Sequence, residues 1–400
     1  MKALWFHLMP YPALDERFDR EARSAWVDLD PSFLDGEVMH RAYNTYLDQL
    51  EHAATAGFDG ICVNEHHQSA YGMVPSPNLM AATLARSTER VAIVVMGNSI
   101  ALYNPPVRVA EELAMLDVLS GGRLVAGFPV GTSMDTCYSY GINPGQLRAR
   151  YAEAHDLIMQ AWQAPKPFAF NGRYTKLRYV NSSPRPLQRP HPPVWIPGGG
   201  SSVETWDLAA THDYVYAYLS YYGYESGKLT MDGFWQYVTE RGLDDNPYRA
   251  AFLQFVCVAD TDAEARTLYR EPVEYFYRRS LKIGAGFEGA PGYQSEATFR
   301  SSLSSQVRRA ARAVGGAPPT FDEIVDRGWV IAGSPDTVRE RLDASITELR
   351  FGHLLCLVQI GNMRDELVRM NTTLFADKVL PGLRGRWPGY EDRWWPRACS

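Results

Sequence analysis

"VRVAEELAMLDVLSGGRLVAGF", residues 107–128, contains the plainest structural unit in the chain. Residues 107–120 place apolar side chains at helical spacing, and Gly121-Gly122 stops the run. Residues 123–128, RLVAGF, then read as a short buried strand. A helix that delivers the chain straight into a strand is half of a βαβ unit. The fold therefore depends on how often this unit recurs.

The alternation extends in both directions. Upstream, ALWFHLM (3–9), FDGICV (58–63) and VAIVVMG (91–97) read as strands, separated by helical segments at 36–56 and 77–88. Downstream, strands are expected at 193–199, 213–219, 252–259 and 353–359, with helices at 145–162, from Ser334-Pro335, and near 363–377. Eight apolar runs alternating with helices predict α/β architecture with a parallel sheet, as a (β/α)8 TIM barrel. No G-x-G-x-x-G follows the first strand, which weakens an open dinucleotide-binding sheet. Two stretches break the rhythm. Residues 166–192 predict a β-hairpin around Asn171-Gly172 and then a proline-rich excursion. Residues 270–330 read as a lid-like insertion after strand seven, with an aromatic helix, a glycine-rich segment and a basic helix, QVRRAARA. No linker divides the chain, so residues 1–400 are expected to form a single domain.

Composition narrows the function. The chain carries a net charge of −6 with no Lys/Arg block, which argues against nucleic acid and anionic membrane as partners. Five cysteines with no C-x-x-C pair fit a reduced, cytoplasmic protein. The opening residues lack the length and cleavage pattern of a signal sequence, and no run reaches membrane-span length.

In a barrel, chemistry gathers at the C-terminal ends of the strands. That rule selects His7 after strand one, Asn64-Glu65-His66-His67 after strand two, and Met96-Gly97-Asn98 after strand three. It also selects Phe128–Gly131 with Tyr138 after strand four, and Gly198–Ser202 after strand five. PGGGSSVETW (197–206) sets glycines and serines where a helix begins, which suits a phosphate or an ordinary serine-capped turn. Adjacent His66 and His67 point in different directions, and no metal-ligand spacing accompanies them, so no metal site is expected. One of the two fits acid–base work near neutral pH, and the other fits a structural role. His7 reads equally as a core residue or as a pocket residue. Cys137 lies in a loop near the expected pocket.

The runs EHHQ…PSPNLMAATLA, NPPVRVAEELAMLDVLSGGRLVAGFPVG and PRPLQRPHPPVWIPGGGSSVETW resemble the bacterial-luciferase-like family of flavin-dependent monooxygenases, in order and over nearly the whole chain. The resemblance implies a TIM barrel that uses reduced FMN, delivered by a separate flavin reductase, and O2, through a C4a-peroxyflavin, to oxygenate a small organic substrate. It implies that His66 lies beside the isoalloxazine and helps hold and protonate the peroxide. Met96, Gly97 and Asn98 would pack under the ring, often through a cis peptide. Gly199, Gly200, Ser201 and Ser202 would receive the phosphate. The candidate set is thus His66, His7 and Asn98 for catalysis, with Met96, Gly97, Asn98, Tyr138 and Gly199–Ser202 for the cofactor. One position departs: Val130 stands where relatives often carry a phosphate-pairing arginine, and Arg173 or Arg185 are the basic residues considered as replacements. An F420-dependent hydride-transfer enzyme and a non-catalytic flavin-binding barrel are the alternatives. The tyrosines at 138, 140 and 218–226 read either as pocket lining or as core, and the family usually forms homodimers through its early helices.

Overall fold

The computed structural model describes residues 1–199, 202–219, 221–284, 287–296, 298 and 318–397. The opening unit forms as its sequence dictates. The helix Val107–Leu119 ends at Ser120, and Gly121 and Gly122 take the positive φ values (68° and 81°) that release the chain into the next strand. Two polar side chains explain why this segment is so distinctive. The buried Arg123 guanidinium donates to the carbonyls of Ala85, Thr88 and Val91, and its Nε to Ser120. Asp117 accepts both the backbone and side-chain N–H groups of Gln188, at 2.9 and 2.7 Å, which pins the proline-rich excursion to the helix. Buried charges survive where every hydrogen-bonding atom finds a partner, and here they lock three elements together.

Eleven strands are described: β1 (Lys2–Phe6), β2 (Gly60–Val63), β3 (Ala92–Val95), β4 (Leu124–Gly127), β5 (Phe168–Asn171), β6 (Lys176–Val180), β7 (Val194–Gly198), β8 (Val215–Tyr218), β9 (Ala250–Val258), β10 (Val330–Gly333) and β11 (His353–Leu357). The ring β1-β2-β3-β4-β7-β8-β9-β11 is parallel throughout and closes between β11 and β1, giving the eight-stranded TIM barrel. The eight strands fall on the eight apolar runs of the sequence, each shorter than its run except β9, which begins two residues earlier at Ala250. In β1 the ladder ends at Phe6, because His7 turns to accept the Met9 N–H and Met9 adopts φ 53°.

The hairpin is β5–β6, antiparallel across Asn171, and Glu153 accepts the N–H groups of Arg173, Tyr174 and Thr175 at its turn. The insertion differs from expectation at its end. VIAG (330–333) forms the short strand β10, paired to the overhanging half of β9, Phe255–Val258. The four residues Val330–Gly333 are too few for periodicity to reveal. The predicted basic helix QVRRAARA lies outside the described residues.

The helix Gly36–Ala56 begins where Asp35 caps the Glu37 and Val38 N–H groups and ends at Gly57, φ 110°. The opposite, N-terminal mouth of the barrel is closed by the segment around Trp394 and Trp395. Trp395 lies parallel to the His353 ring at 5.8 Å, and His353 Nε2 meets Asp392 at 3.0 Å. No helix among the described residues is long and apolar enough to cross a membrane.

Candidate active site

The β2 end turns sharply into EHH, and each of the three side chains goes to a different place. Glu65 is buried and points back into the β3 loop, where it accepts the Ser99 N–H at 2.5 Å and the Tyr103 hydroxyl at 2.7 Å. His67 is buried 3.2 Å from Glu65 and under the Tyr140 ring, a position that supports the loop. His66 goes to Asp135, with Nδ1 to Oδ2 at 3.0 Å.

Asp135 organises the site. It lies on the π-helical turn Met134–Ser139 after β4 and is 2% exposed. Besides His66 it accepts the Trp26 indole N–H at 2.9 Å, the His67 backbone N–H at 3.0 Å and the Thr132 hydroxyl at 2.9 Å. Burial pushes this carboxyl up, but the facing His66 and the N–H donors of His67 and Trp26 more than offset it, so the group stays below the usual carboxylate range. A carboxylate can only accept, so Nδ1 of His66 carries the proton toward it.

Nε2 of His66 has no partner among the described residues. The ring is held edge-on to Trp26 at 4.9 Å and to Tyr71 at 4.8 Å, while Trp26 and Tyr71 stack at 4.0 Å. Tyr71 in turn shares a short hydroxyl contact with Tyr221. A side chain at Gly72 would meet His66 Cδ2 at 2.8 Å, so the ring fits because that residue has none. His66 lines a cavity of about 550 Å³, with Tyr138 at its edge packed on Phe287 of the insertion. Ser133 donates to the Phe287 carbonyl and Tyr293 to the Gly131 carbonyl, so the described part of the insertion is clasped onto the β4 loop as a lid.

The other candidates divide. Asn98 is fully buried with φ 70°; its amide N–H donates to Tyr103 at 3.0 Å and its Oδ1 has no partner. Met96 is buried, its N–H bonded to the Val63 carbonyl. Gly97 passes so close to Glu65 that a Cβ would lie 2.6 Å from it. The cis bonds of the described residues are all X-Pro, so the cis peptide expected at the third-strand end is not there. His7 is corrected to a core residue. Its Nδ1 accepts the Met9 N–H at 2.9 Å, Nε2 meets Gln49 Oε1 at 3.1 Å, and burial pulls its pKa down to about 3, leaving it neutral and fully partnered.

Gly200 and Ser201 lie outside the described residues; Gly199 is exposed beside them. Ser202 caps the helix Val203–Thr211, accepting the Thr205 N–H at 3.3 Å. The guanidinium that reaches Ser202 is that of Arg148, at 3.4 Å, and it lies 3.8 Å from Glu204. Arg173 instead lies over Tyr174 in the hairpin. Arg148 was not among the sequence candidates, nor were Asp135, Trp26 and Tyr71. For Arg148 a signal existed: it sits near the start of the helix Pro144–Gln163, which departs from the catalytic mouth after β4. For Trp26 and Asp135 none did, since their pairing joins two loops 109 residues apart. The tyrosines at 140 and 218–226 do not line the cavity.

The luciferase-like monooxygenase family model matches residues 26–352. Limonene 1,2-monooxygenase of Rhodococcus erythropolis is 34% identical over 283 residues, 68% of each chain. The oxygenase component of flavin-dependent trigonelline monooxygenase of Acinetobacter baylyi is 24% identical over 306 residues, 73% of this chain and 81% of that one. Among solved structures, the fold is similar to the oxygenating constituent of 3,6-diketocamphane monooxygenase from Pseudomonas putida in complex with FMN, with TM-score 0.71, 19% identity, and 95% and 98% of the two chains covered. Together with the closed barrel and the EHH strand end, the match over most of its length means that this chain belongs to the luciferase-like monooxygenase family.

Proposed function

We propose that this chain is the oxygenase component of a two-component flavin monooxygenase, taking reduced FMN from a separate reductase and using O2 to oxygenate a small organic substrate. The observation that carries the reading is the His66–Asp135 pair, in which Nδ1 is bound to a buried carboxylate while the ring lines the cavity. The polar groups at the barrel mouth fit an isoalloxazine. Asn64, Asn98 and Gln359, just past the ends of β2, β3 and β11, keep buried amide atoms without partners. Unsatisfied buried amides are costly, and alternating carbonyl and N–H groups on a bound ring would satisfy them.

When bound, the reduced flavin supplies two electrons, so that one oxygen atom of O2 enters the substrate and the other leaves as water. The protein's own contribution is protonic and steric. His66 can hold a proton on Nε2 as imidazolium, its charge balanced by Asp135, and release it toward the mouth. Trp26 and Tyr71 hold the imidazole edge-on, so that its orientation is fixed. Arg148 and Ser202, 3.4 Å apart, would hold the phosphate in place of the arginine absent at Val130. Leu79 and Met115 are largely exposed on the helices Pro77–Ser87 and Val107–Leu119, which supports a homodimer through these early helices.

The test is anaerobic titration with reduced FMN, then with reduced F420, followed by 18O2 in the presence of candidate substrates. The reading expects reduced FMN to bind and one labelled oxygen per product. Binding of F420 without FMN would replace it with hydride transfer, and binding of FMN with no product from any substrate would favour a non-catalytic barrel.

A further inference from the structure

The cavity beside His66 has a chemistry of its own. Its walls come from the excursion after β1 (Trp26, Leu34), the next helix (Met39, Tyr43) and the β2 loop (Met73). The walls are braced: the Tyr43 hydroxyl donates to the Met73 carbonyl, and Trp26 donates to Asp135, the carboxylate that also holds His66. At about 550 Å³ it is the size of a small-molecule site rather than a packing defect.

Charge decides what it takes. Among the described residues that line it there is no lysine or arginine. Its one carboxylate, Asp28, is 61% exposed and lies 3.5 Å from Arg23. His66 is the single group in the wall that can turn cationic, and its Nδ1 is already bound to Asp135. An anionic ligand would lose its hydration against Leu34, Met39 and Met73 with no fixed counter-charge, whereas a neutral apolar one would gain from the same burial.

We propose that this cavity is the substrate site and that it selects compact, neutral, mainly apolar molecules over carboxylates; the proposal rests on the monooxygenase reading above. Leu34 and Met73 set its size. Cyclohexyl methyl ketone and cyclohexanecarboxylate have nearly the same shape and differ in charge, so they separate the two classes. Calorimetric titration of the full chain without flavin should find the ketone bound at least about tenfold more tightly. Leu34→Trp and Met73→Trp fill the cavity and should each weaken the ketone by about tenfold or more, while reduced FMN binds within about twofold of the original. Leu34 is half-buried on the excursion, so its variant keeps the test valid if Met73→Trp fails to fold.

Equal or tighter binding of the carboxylate, no binding of the ketone, or undiminished ketone binding in Leu34→Trp would each overturn the proposal. Ketone binding without any binding of reduced FMN would overturn the monooxygenase reading instead, leaving the cavity's preference for neutral ligands intact.

Discussion

His66 and His353 each lie 3.0 Å from an aspartate, at opposite ends of one barrel. The pair distance is the same and the surroundings are not. His353 opens β11 at the N-terminal mouth, with no exposure, between Trp195 at 4.6 Å and Trp395 at 5.8 Å. Its aspartate, Asp392, belongs to the C-terminal segment, so that pair fastens the segment to the barrel floor. His66 stands past the end of β2 and lines the cavity, and its second nitrogen has no hydrogen-bond partner among the described residues. A histidine–carboxylate pair therefore signals chemistry only when the far nitrogen can reach a reactant. With both nitrogens enclosed, the same pair is a structural tie.

Substitution at each end of the barrel should separate the two histidines. His66→Ala should lower flavin-dependent product formation by about 10²–10⁴-fold, the range for a lost acid–base group. His353→Ala should leave kcat within about twofold but cost about 3 kcal/mol of stability in urea unfolding, the scale of losing a buried ring. Equal activity losses at both ends would dissolve the distinction.

Asp135→Asn should act on the His66 end alone. The amide can still hold the ring but cannot balance an imidazolium, so kcat should fall about 10–100-fold, as when a histidine's orienting partner is lost. A shift in the pH profile of kcat should accompany the fall; a purely structural loss would leave the profile unmoved.

The smallest effect concerns acid stability. The Asp135 carboxyl is held below its usual range, so its stabilisation is complete above the unfolded carboxylate pKa and fades as pH falls through the folded value. The stability difference between the original and Asp135→Asn should be flat above about pH 5 and should shrink below about pH 4. A difference that widens in acid would contradict the shift.

The fold was legible because a parallel barrel writes its strands as apolar runs, and AEELAMLDVLSGGRL announces its own helix, stop and strand. β10 was not, since four residues carry no period. His66 was legible from its place at a strand end. His7 shows the limit of that rule: one residue past β1, it turns inward because Met9 and Gln49 offer both its nitrogens partners. Asp135 and Trp26 were hidden for another reason. Their pairing arises from segments 109 residues apart that meet in space, and no local spacing encodes such a meeting.

If His66 acts on a reduced flavin at the barrel mouth, its loss should change how that flavin meets oxygen. The most direct test is to bind reduced FMN anaerobically to the original chain and to His66→Ala, admit oxygen, and follow flavin reoxidation together with released hydrogen peroxide. Both proteins should bind the flavin, and the alanine variant should reoxidise it at a clearly different rate with more peroxide released. Identical traces from the two proteins, or no flavin bound by either, would contradict this role of His66.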